Sequence, residues 1–451
     1  MYDETVLMQD VVGMRNLTAA IATMNEDFTT AKKSMQTELA VLRHIHATPK
    51  ISRVELAELS GLSTAAITGI VNSLISLQLL EEDRGAVKGA GRKRVGLTMK
   101  SDLAYVAGID LGTINLRICI TDINGEVLAS KEVPSEMSKG REDVLSRLFA
   151  LVREVLSSAN LDVGLLRGIG IGFSGVIDVE RGMVLSYPRP GQIEQWKNMP
   201  LRARMEQEFG LPVLLEDSVR AVAVMERFLG AGRDFSNFVY VDVGAGIGAA
   251  IFIGGCLYRG HGGSAGEFGH ITVDEDGPLC CCGSRGCLEA VASGTTMIES
   301  IKVAIRRGVA SKITETTGYN FDEITIELIA AAARENDSLS YRILSEAASH
   351  IGAAAADLVN LLNPAALVFG GAAFRAAPGL LVDRIQSTIR QRAMEKSVND
   401  VQIKVSTLDG NAGALGAARL IAMRLVERIY FNVAGLNRPR RSPMRIYRNV
   451  G

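Results

Sequence analysis

The rhythm of apolar and polar positions changes near residue 100. Before that point the apolar residues recur at helical spacing in short runs. A helix is predicted over about 53–59, with Val54, Leu56 and Leu59 as its apolar contacts. A second is predicted over about 64–77, where Ile67, Ile70, Val71 and Leu74 recur every three or four residues and face a core. Gly61 permits the tight turn between them, and Ser63 is a good N-cap for the second. Leu79, Leu80, Glu81 and Glu82 close a helix-to-strand transition, and Val95, Gly96 and Leu97 form a short returning strand. From about 102 to 427 short runs rich in Val and Ile alternate with helical stretches, the pattern of an α/β fold. Strands are predicted at 104–109, 116–122, 168–172, 213–216, 238–243, 248–253 and 366–369, and a glycine-rich turn follows several of them. Residues 1–36 are mixed polar, helical in part, and carry no identifiable chemistry.

The face of the second helix turned away from its apolar stripe carries Thr64, Ala65, Thr68 and Asn72, after the cap Ser63. Small and polar side chains are what a helix entering the DNA major groove requires. Arg84, Lys88, Arg92, Lys93 and Arg94 then occupy a glycine-rich turn between the two short strands. Residues 37–100 therefore read as a winged helix-turn-helix with a basic wing. Its cations would contact phosphates and set register, while Ser63, Thr64, Ala65, Thr68 and Asn72 would face the bases. The expected partner is operator DNA.

Composition narrows the setting. Hydrophobic content of 47% with 22% charged residues is ordinary for a globular protein of 451 residues in two or three domains. The net charge of -1 places any nucleic-acid surface locally. No apolar run reaches the roughly 18–20 residues of a membrane span, so no membrane insertion is expected. The acidic start lacks a signal peptide's basic and apolar segments, which points to the cytoplasm. Residues 428–451 read as a basic tail, with Arg438, Arg440, Arg441, Arg445 and Arg448.

Of six cysteines, Cys280, Cys281, Cys282 and Cys287 are clustered, whereas Cys119 and Cys256 sit in apolar, strand-like runs as small hydrophobes. His270, Cys280, Cys282 and Cys287 supply one imidazole and three thiolates, a sufficient set for a tetrahedral Zn²⁺. Cys281 falls between two ligands and is expected to point away. With all four positions filled by protein, the metal is expected to be structural. Glu267 and Glu289 flank the ligands, which suggests a pocket beside the metal.

Three glycine turns follow strands: Asp110-Leu111-Gly112-Thr113, Gly244-Ala245-Gly246-Ile247-Gly248 and Gly370-Gly371. Three such turns at comparable positions imply a two-lobed, phosphotransferase-like fold. Residues 241–270 and the Cys-x-Cys-Gly-x-x-Gly-Cys-x-Glu run at 280–289 resemble the signature and zinc motif of the ROK family (repressors, open reading frames, kinases). With the winged helix ahead of them, they resemble its repressor branch, which includes the xylose and N-acetylglucosamine repressors. The resemblance covers about 40–425. It implies an N-terminal winged helix-turn-helix followed by an actin/hexokinase-like (ribonuclease H-like) two-lobed domain over 101–427. It further implies a homodimer or homotetramer and sugar-controlled DNA binding.

The family's sugar contacts fall on Asp217, Glu267, His270 and Glu289, with Gly175 in a bordering loop; Glu216 stands where the family has asparagine. A glutamate there would repel an acidic sugar, favour an amino sugar, or turn away. Family kinases usually have Asp-x-Gly-Gly-Thr-Lys in the first turn, where this chain has Asp110-Leu111-Gly112-Thr113-Ile114-Asn115. Thr113 and Ile114 should obstruct backbone approach to a phosphate, and Ala245 lacks the threonine hydroxyl of the second turn. The expectation is a non-enzymatic repressor answering to a sugar or sugar phosphate, with no catalytic residue assigned. An active ATP-dependent sugar kinase carrying a DNA-binding domain is the first alternative. A regulator controlled by a protein partner, such as a sugar-transporter component, is the second.

Overall fold

The computed structural model describes residues 34–83, 95–187 and 193–435. It divides into two units, one of Met1–Lys100 with Val426–Pro439 and one whose described part is Ser101–Leu425.

In the first unit a helix over 34–47 precedes helices Arg53–Ser60 and Thr64–Ser76 and the strands β1 (Leu80–Asp83) and β2 (Gly96–Met99). Ser52 and Glu55 form a reciprocal capping box that starts the first of the named helices, and Gly61 ends it in the left-handed conformation. Ser63 caps Thr64–Ser76 by accepting from the Ala66 amide at 3.2 Å. Leu56, Ile67, Val71 and Leu74 are fully buried, with Leu39, Val41, Leu42 and Ile45 of the preceding helix. Val54 and Leu59, expected in the core, are 58% and 40% exposed. An eight-residue helix spans about two turns, and here only Leu56 faces inward. β1 and β2 pair antiparallel from Leu80 opposite Met99 to Asp83 opposite Gly96. The C-terminal helix Ala412–Val433 contributes its end to this unit, where Tyr430 donates to Glu38 at 2.8 Å and Glu427 pairs with Arg43. Residues 428–433, placed in the tail by charge pattern, are thus helical, with Tyr430 and Phe431 buried.

The second unit is built on two five-stranded sheets of the same topology. In the first, β3 (Tyr105–Leu111), β4 (Asn115–Asp122) and β5 (Val127–Pro134) form an antiparallel meander. β3 also pairs parallel with β6 (Leu166–Phe173), and β6 with β9 (Val213–Asp217). A separate hairpin, β7 (Val176–Asp178) with β8 (Met183–Ser186), follows β6. The second sheet repeats the plan. β10 (Phe238–Val243), β11 (Ile247–Ile253) and β12 (Cys256–Tyr258) form the meander, and β10, β13 (Ala366–Gly370) and β14 (Gln402–Val405) run parallel.

Each sheet has its own apolar cluster, one around Ile109, Ile118, Leu148 and Ile171, the other around Val241, Ile301, Ile351 and Phe369. Helix Ala412–Val433 lies flat on the first sheet because Gly108 and Gly170 lack side chains. A Cβ there would come within 2.0 Å of the Ala414 carbonyl and 1.9 Å of the Ala417 carbonyl. No single described helix is long and apolar enough to cross a membrane.

The duplicated plan fixes where the chemistry lies. The two meanders each begin with a strand that ends near an aspartate and turns on glycine: Asp110 before Gly112, and Asp242 before Gly244. The strand β9 delivers Asp217 at its end, in register with Phe173 of β6.

Candidate functional site

On the helix Thr64–Ser76, Ser63, Thr64, Ala65, Thr68 and Asn72 are all exposed. Thr68 turns its hydroxyl to the Thr64 carbonyl at 2.7 Å, a bond it can exchange for another acceptor. Arg84, Lys88, Arg92, Lys93 and Arg94 lie outside the described residues.

Asp217 is both the last residue of β9 and the N-cap of helix Ser218–Phe228, accepting from the Arg220 amide at 3.0 Å. Burial pushes its carboxyl up to about 7 against the pull of Arg220, and the charges of Glu216 and Glu267 push the same way. The Ser174 and Ser218 hydroxyls meet at 2.8 Å, tying the loop that carries Gly175 to the start of this helix. These two hydroxyls, next to Gly175 and Asp217, were missed by the sequence reading; isolated serines carry no pattern. Gly175 itself packs where a Cβ would meet the Phe173 ring at 2.6 Å and the Ser186 carbonyl at 2.9 Å.

Glu267 is exposed and opens the short 3-10 turn Phe268–His270. Gly269 lets that turn sit against Glu289, with a hypothetical Cβ only 3.2 Å from the Glu289 Cβ. Glu289, on the helix Leu288–Ala292, accepts the Ile247 amide at 2.9 Å on one oxygen and the Cys281 thiol at 3.7 Å on the other. A carboxylate has about four acceptor positions, so Glu289 is oriented without being saturated.

Glu216 departs from the expected sugar contact. It is wholly buried, and both oxygens are taken: one by the Asp217 amide at 3.1 Å and Arg220 at 3.3 Å, the other by Arg259 at 2.9 and 2.5 Å. Burying a carboxylate is costly unless it is paired, and here the pairing spends both oxygens inside the protein. Arg259 has no local sequence signal, because it reaches Glu216 from 43 residues away, whereas Arg220 stands only four residues on.

His270, Cys280, Cys282 and Cys287 bring one ligand atom each to within 4.8 Å of one another. Zinc bound tetrahedrally by thiolate and imidazole requires S···S edges of about 3.8 Å and S···N edges of about 3.6 Å. The Cys282–Cys287 sulfurs are 3.7 Å apart, and Cys280 Sγ lies 3.6 Å from His270 Nδ1. The donor set therefore fits a four-coordinate zinc. A tight loop supports it, with the Cys280 amide donating to the Ser284 carbonyl and the Gly283 amide to the Cys280 carbonyl. Cys281 lies outside this group and faces Glu289.

At the first glycine turn the Gly112 amide is spent on the Asn115 carbonyl at 3.1 Å, closing the β3–β4 hairpin. Arg117 bridges Asp110 at 3.5 Å and Glu132 at 2.9 Å. Burial pushes Asp110 up to about 6 despite Arg117, with the Asp242 charge adding to the rise. Ile114 is 66% exposed at the tip of the turn, and Asn115 pairs with Glu132. At the second turn the carbonyls of Gly244 and Ala245 accept from the Gly294 amide at 2.8 Å and the Thr295 hydroxyl at 2.7 Å. The turn is thereby stitched to the helix Gly294–Arg306.

A winged helix ahead of a duplicated, hexokinase-like α/β domain defines a class of DNA-binding proteins built on a sugar-kinase scaffold. Residues 106–424 match the ROK family, and residues 36–81 match a winged helix-turn-helix DNA-binding domain. The chain belongs to the ROK family. It is 32% identical to the xylose repressor of Caldicellulosiruptor bescii over 385 residues, covering 85% of this chain and 94% of that one. Among solved structures it is similar to a ROK-family transcriptional regulator homologous to the E. coli MLC protein. That likeness has a TM-score of 0.71 and 30% identity, over 88% of this chain and 98% of the other. It is also similar to a ROK-family glucokinase from Streptomyces griseus in complex with glucose and AMPPNP, with a TM-score of 0.61 and 31% identity. That likeness covers 70% of this chain and 99% of the glucokinase chain.

Proposed function

We propose that the chain is a sequence-specific DNA-binding repressor whose hold on its operator is set by a sugar or sugar derivative. The observation that carries this reading is the coexistence of an exposed face on Thr64–Ser76 with the carboxylates of Asp217 and Glu267, whose charges act on one another, and of Glu289 beside the Phe268–His270 turn. Charged acceptors hold sugar hydroxyls well, because hydrogen bonds to ionised groups are roughly twice as strong as neutral ones. Asp217 and Glu267 would take one set of hydroxyls and Glu289 another. The nitrogen of His270 remote from Cys280 would serve a further hydroxyl. Zinc, when bound to His270, Cys280, Cys282 and Cys287, would cross-link the two loops that carry this imidazole and Glu289.

The protein would act in the cytoplasm as a homodimer or homotetramer, two recognition helices reading a roughly palindromic operator about one DNA turn apart. Sugar can shift DNA affinity only by its different affinity for the DNA-binding and released states. A thermal-shift screen of neutral, amino and phosphorylated sugars, followed by DNA mobility shifts with each stabilising sugar, tests the proposal. Stabilisation coupled to a change in DNA affinity is expected; a stabilising sugar that leaves DNA affinity unaltered would overturn it.

A sugar kinase is the second reading, favoured by the retained Asp217 and the glucokinase likeness. Against it stand the changes at Thr113, Ile114, Asn115 and Ala245, and the engagement of Asp110 by Arg117. A coupled ATP-turnover assay across the same sugars separates the two readings. Sugar-dependent turnover at ordinary kinase rates would establish the kinase.

A further inference from the structure

Glu216, Arg220 and Arg259 form an ion-paired network that no step of ligand contact uses. It is built into the fold at a telling place. Glu216 lies on β9 beside Asp217, Arg220 lies one turn into the following helix, and Arg259 begins the loop that leads to Glu267. Arg220 is 3% exposed and reaches past Glu216 into that loop, donating to the carbonyls of Gly263 and Ala265, the latter at 2.9 Å. The loop closes on itself through the Ala265 amide and the Arg259 carbonyl at 3.1 Å. Its far end joins β11 where the Ala249 amide donates to the Gly266 carbonyl at 2.9 Å.

The loop needs such anchoring. Gly260, Gly263 and Gly266 all adopt positive φ, at 71°, 84° and 96°. Glycine loses more conformational freedom on ordering than any other residue. A segment with three left-handed glycines would otherwise let the next residue, Glu267, wander. Among the described residues the Glu267 side chain makes no hydrogen bond or ion pair, although its carbonyl accepts the His270 amide at 3.1 Å. On the N-terminal side its position is inherited from the loop, and the loop's position from Arg220 and Arg259.

We propose that the Glu216–Arg220–Arg259 network is a positioning latch that fixes the 259–266 loop, and so sets the placement of Glu267 opposite Asp217 for sugar hydroxyls. This rests on the ligand reading above for its consequence, though not for the latch itself. It accounts for the glutamate at 216. Glu216 serves both guanidinium groups, and a neutral side chain there would leave them without a countercharge. The three residues are positioning residues, since none reaches the ligand.

The test uses the full-length protein. Arg220→Met removes both loop carbonyl bonds while leaving Glu216 paired with Arg259, so no buried charge is orphaned. Amide hydrogen exchange, measured without sugar, is expected to rise at 260–267 by tenfold or more and to stay unchanged in β10 and β13. Calorimetric titration with D-xylose and N-acetylglucosamine, the probes used, is expected to give at least a tenfold loss of affinity, with sugar-free DNA binding within twofold. Unchanged exchange at 260–267 in Arg220→Met would overturn the latch.

Glu216→Gln, alone and combined with Arg220→Met, supplies the second measurement. One latch requires the double variant to lose little more than either single variant, whereas additive losses contradict it. If the wild-type protein binds neither sugar, these two are not its ligand, and the exchange at 260–267 alone decides the latch.

Discussion

Two carboxylate-bearing regions of the second unit differ in what their carboxylates already hold. At the glycine turns, Asp110 is buried, is met by Arg117, and is pushed up to about 6, while the Gly112 amide is consumed by the hairpin. In the other region, Asp217 spends one oxygen on a helix cap, Glu289 is oriented but not saturated, and Glu267 is exposed. The first region sets its aspartate against a cation and leaves one buried acceptor, Asp110 Oδ1, without a hydrogen bond, whereas the second keeps open acceptors on Glu267 and Glu289. Asp110 and Asp217 stand near the ends of β3 and β9 of the same sheet, so the contrast comes from their neighbours. Under the proposed function it is the contrast of a scaffold that would keep recognition of hydroxyls and not of a phosphate.

The largest effect is expected from the His270, Cys280, Cys282 and Cys287 cluster, which under the proposed function would hold zinc beside Glu289. Cys287→Ser should abolish zinc, measured by elemental analysis of purified protein. Losing a structural metal of this kind should lower the melting temperature by about 10 °C, given about 2–4 °C per kcal/mol for domains of this size. Sugar binding should be lost with it. Retained zinc, or an unaltered melting temperature in zinc-free protein, would contradict a structural metal.

Next in size is Glu267→Gln. A hydrogen bond to a charged group contributes about 1.5–3 kcal/mol, so sugar affinity should fall roughly tenfold to a hundredfold, read by calorimetry. Sugar-free DNA binding should be unaffected.

Acidity should then act through Asp217. Its value of about 7 in the folded chain exceeds the 3.8 of an ordinary aspartate, so folding favours the protonated form. Asp217 therefore supports stability at acid pH, and that support is lost as pH rises through about 7. The sugar, which needs the carboxylate as acceptor, gains over the same interval. Its affinity should rise several-fold, up to about tenfold, between pH 6 and pH 8, and Asp217→Asn should flatten the profile. A flat wild-type profile would remove Asp217 from the contact set. The smallest effect is expected at the first glycine turn, where Asp110→Asn should change sugar affinity and DNA binding by less than twofold. A tenfold loss there would return the glycine turns to the ligand site.

Much of the reading head was legible because helices announce themselves by period. Ile67, Val71 and Leu74 recur at helical spacing, Ser63 caps, and Gly61 turns, and each stands where that pattern puts it. Val54 and Leu59 did not follow, since a helix of two turns can bury a single residue and remain in place. The interior strands were visible as apolar runs. β5 was not, because it is an edge strand exposed along most of its length, with Ser130, Lys131 and Glu132 in its middle. The cysteine cluster was legible from spacing alone, and so were the flanking Glu267 and Glu289. Glu216 was legible as an anomaly and not as a latch, because its partner Arg259 meets it only once a segment 43 residues away is folded against it. Ser174 and Ser218 were hidden for the same reason.

The most direct measurement is fluorescence anisotropy of a DNA duplex selected from a random pool by the full-length protein, titrated with each sugar that raises the melting temperature. The wild-type protein should change its DNA affinity by tenfold or more at saturating sugar, without ATP, and Glu267→Gln should show no change over the same sugar concentrations. DNA affinity that stays constant at saturating sugar, or that changes only when ATP is added, would contradict a sugar-controlled repressor.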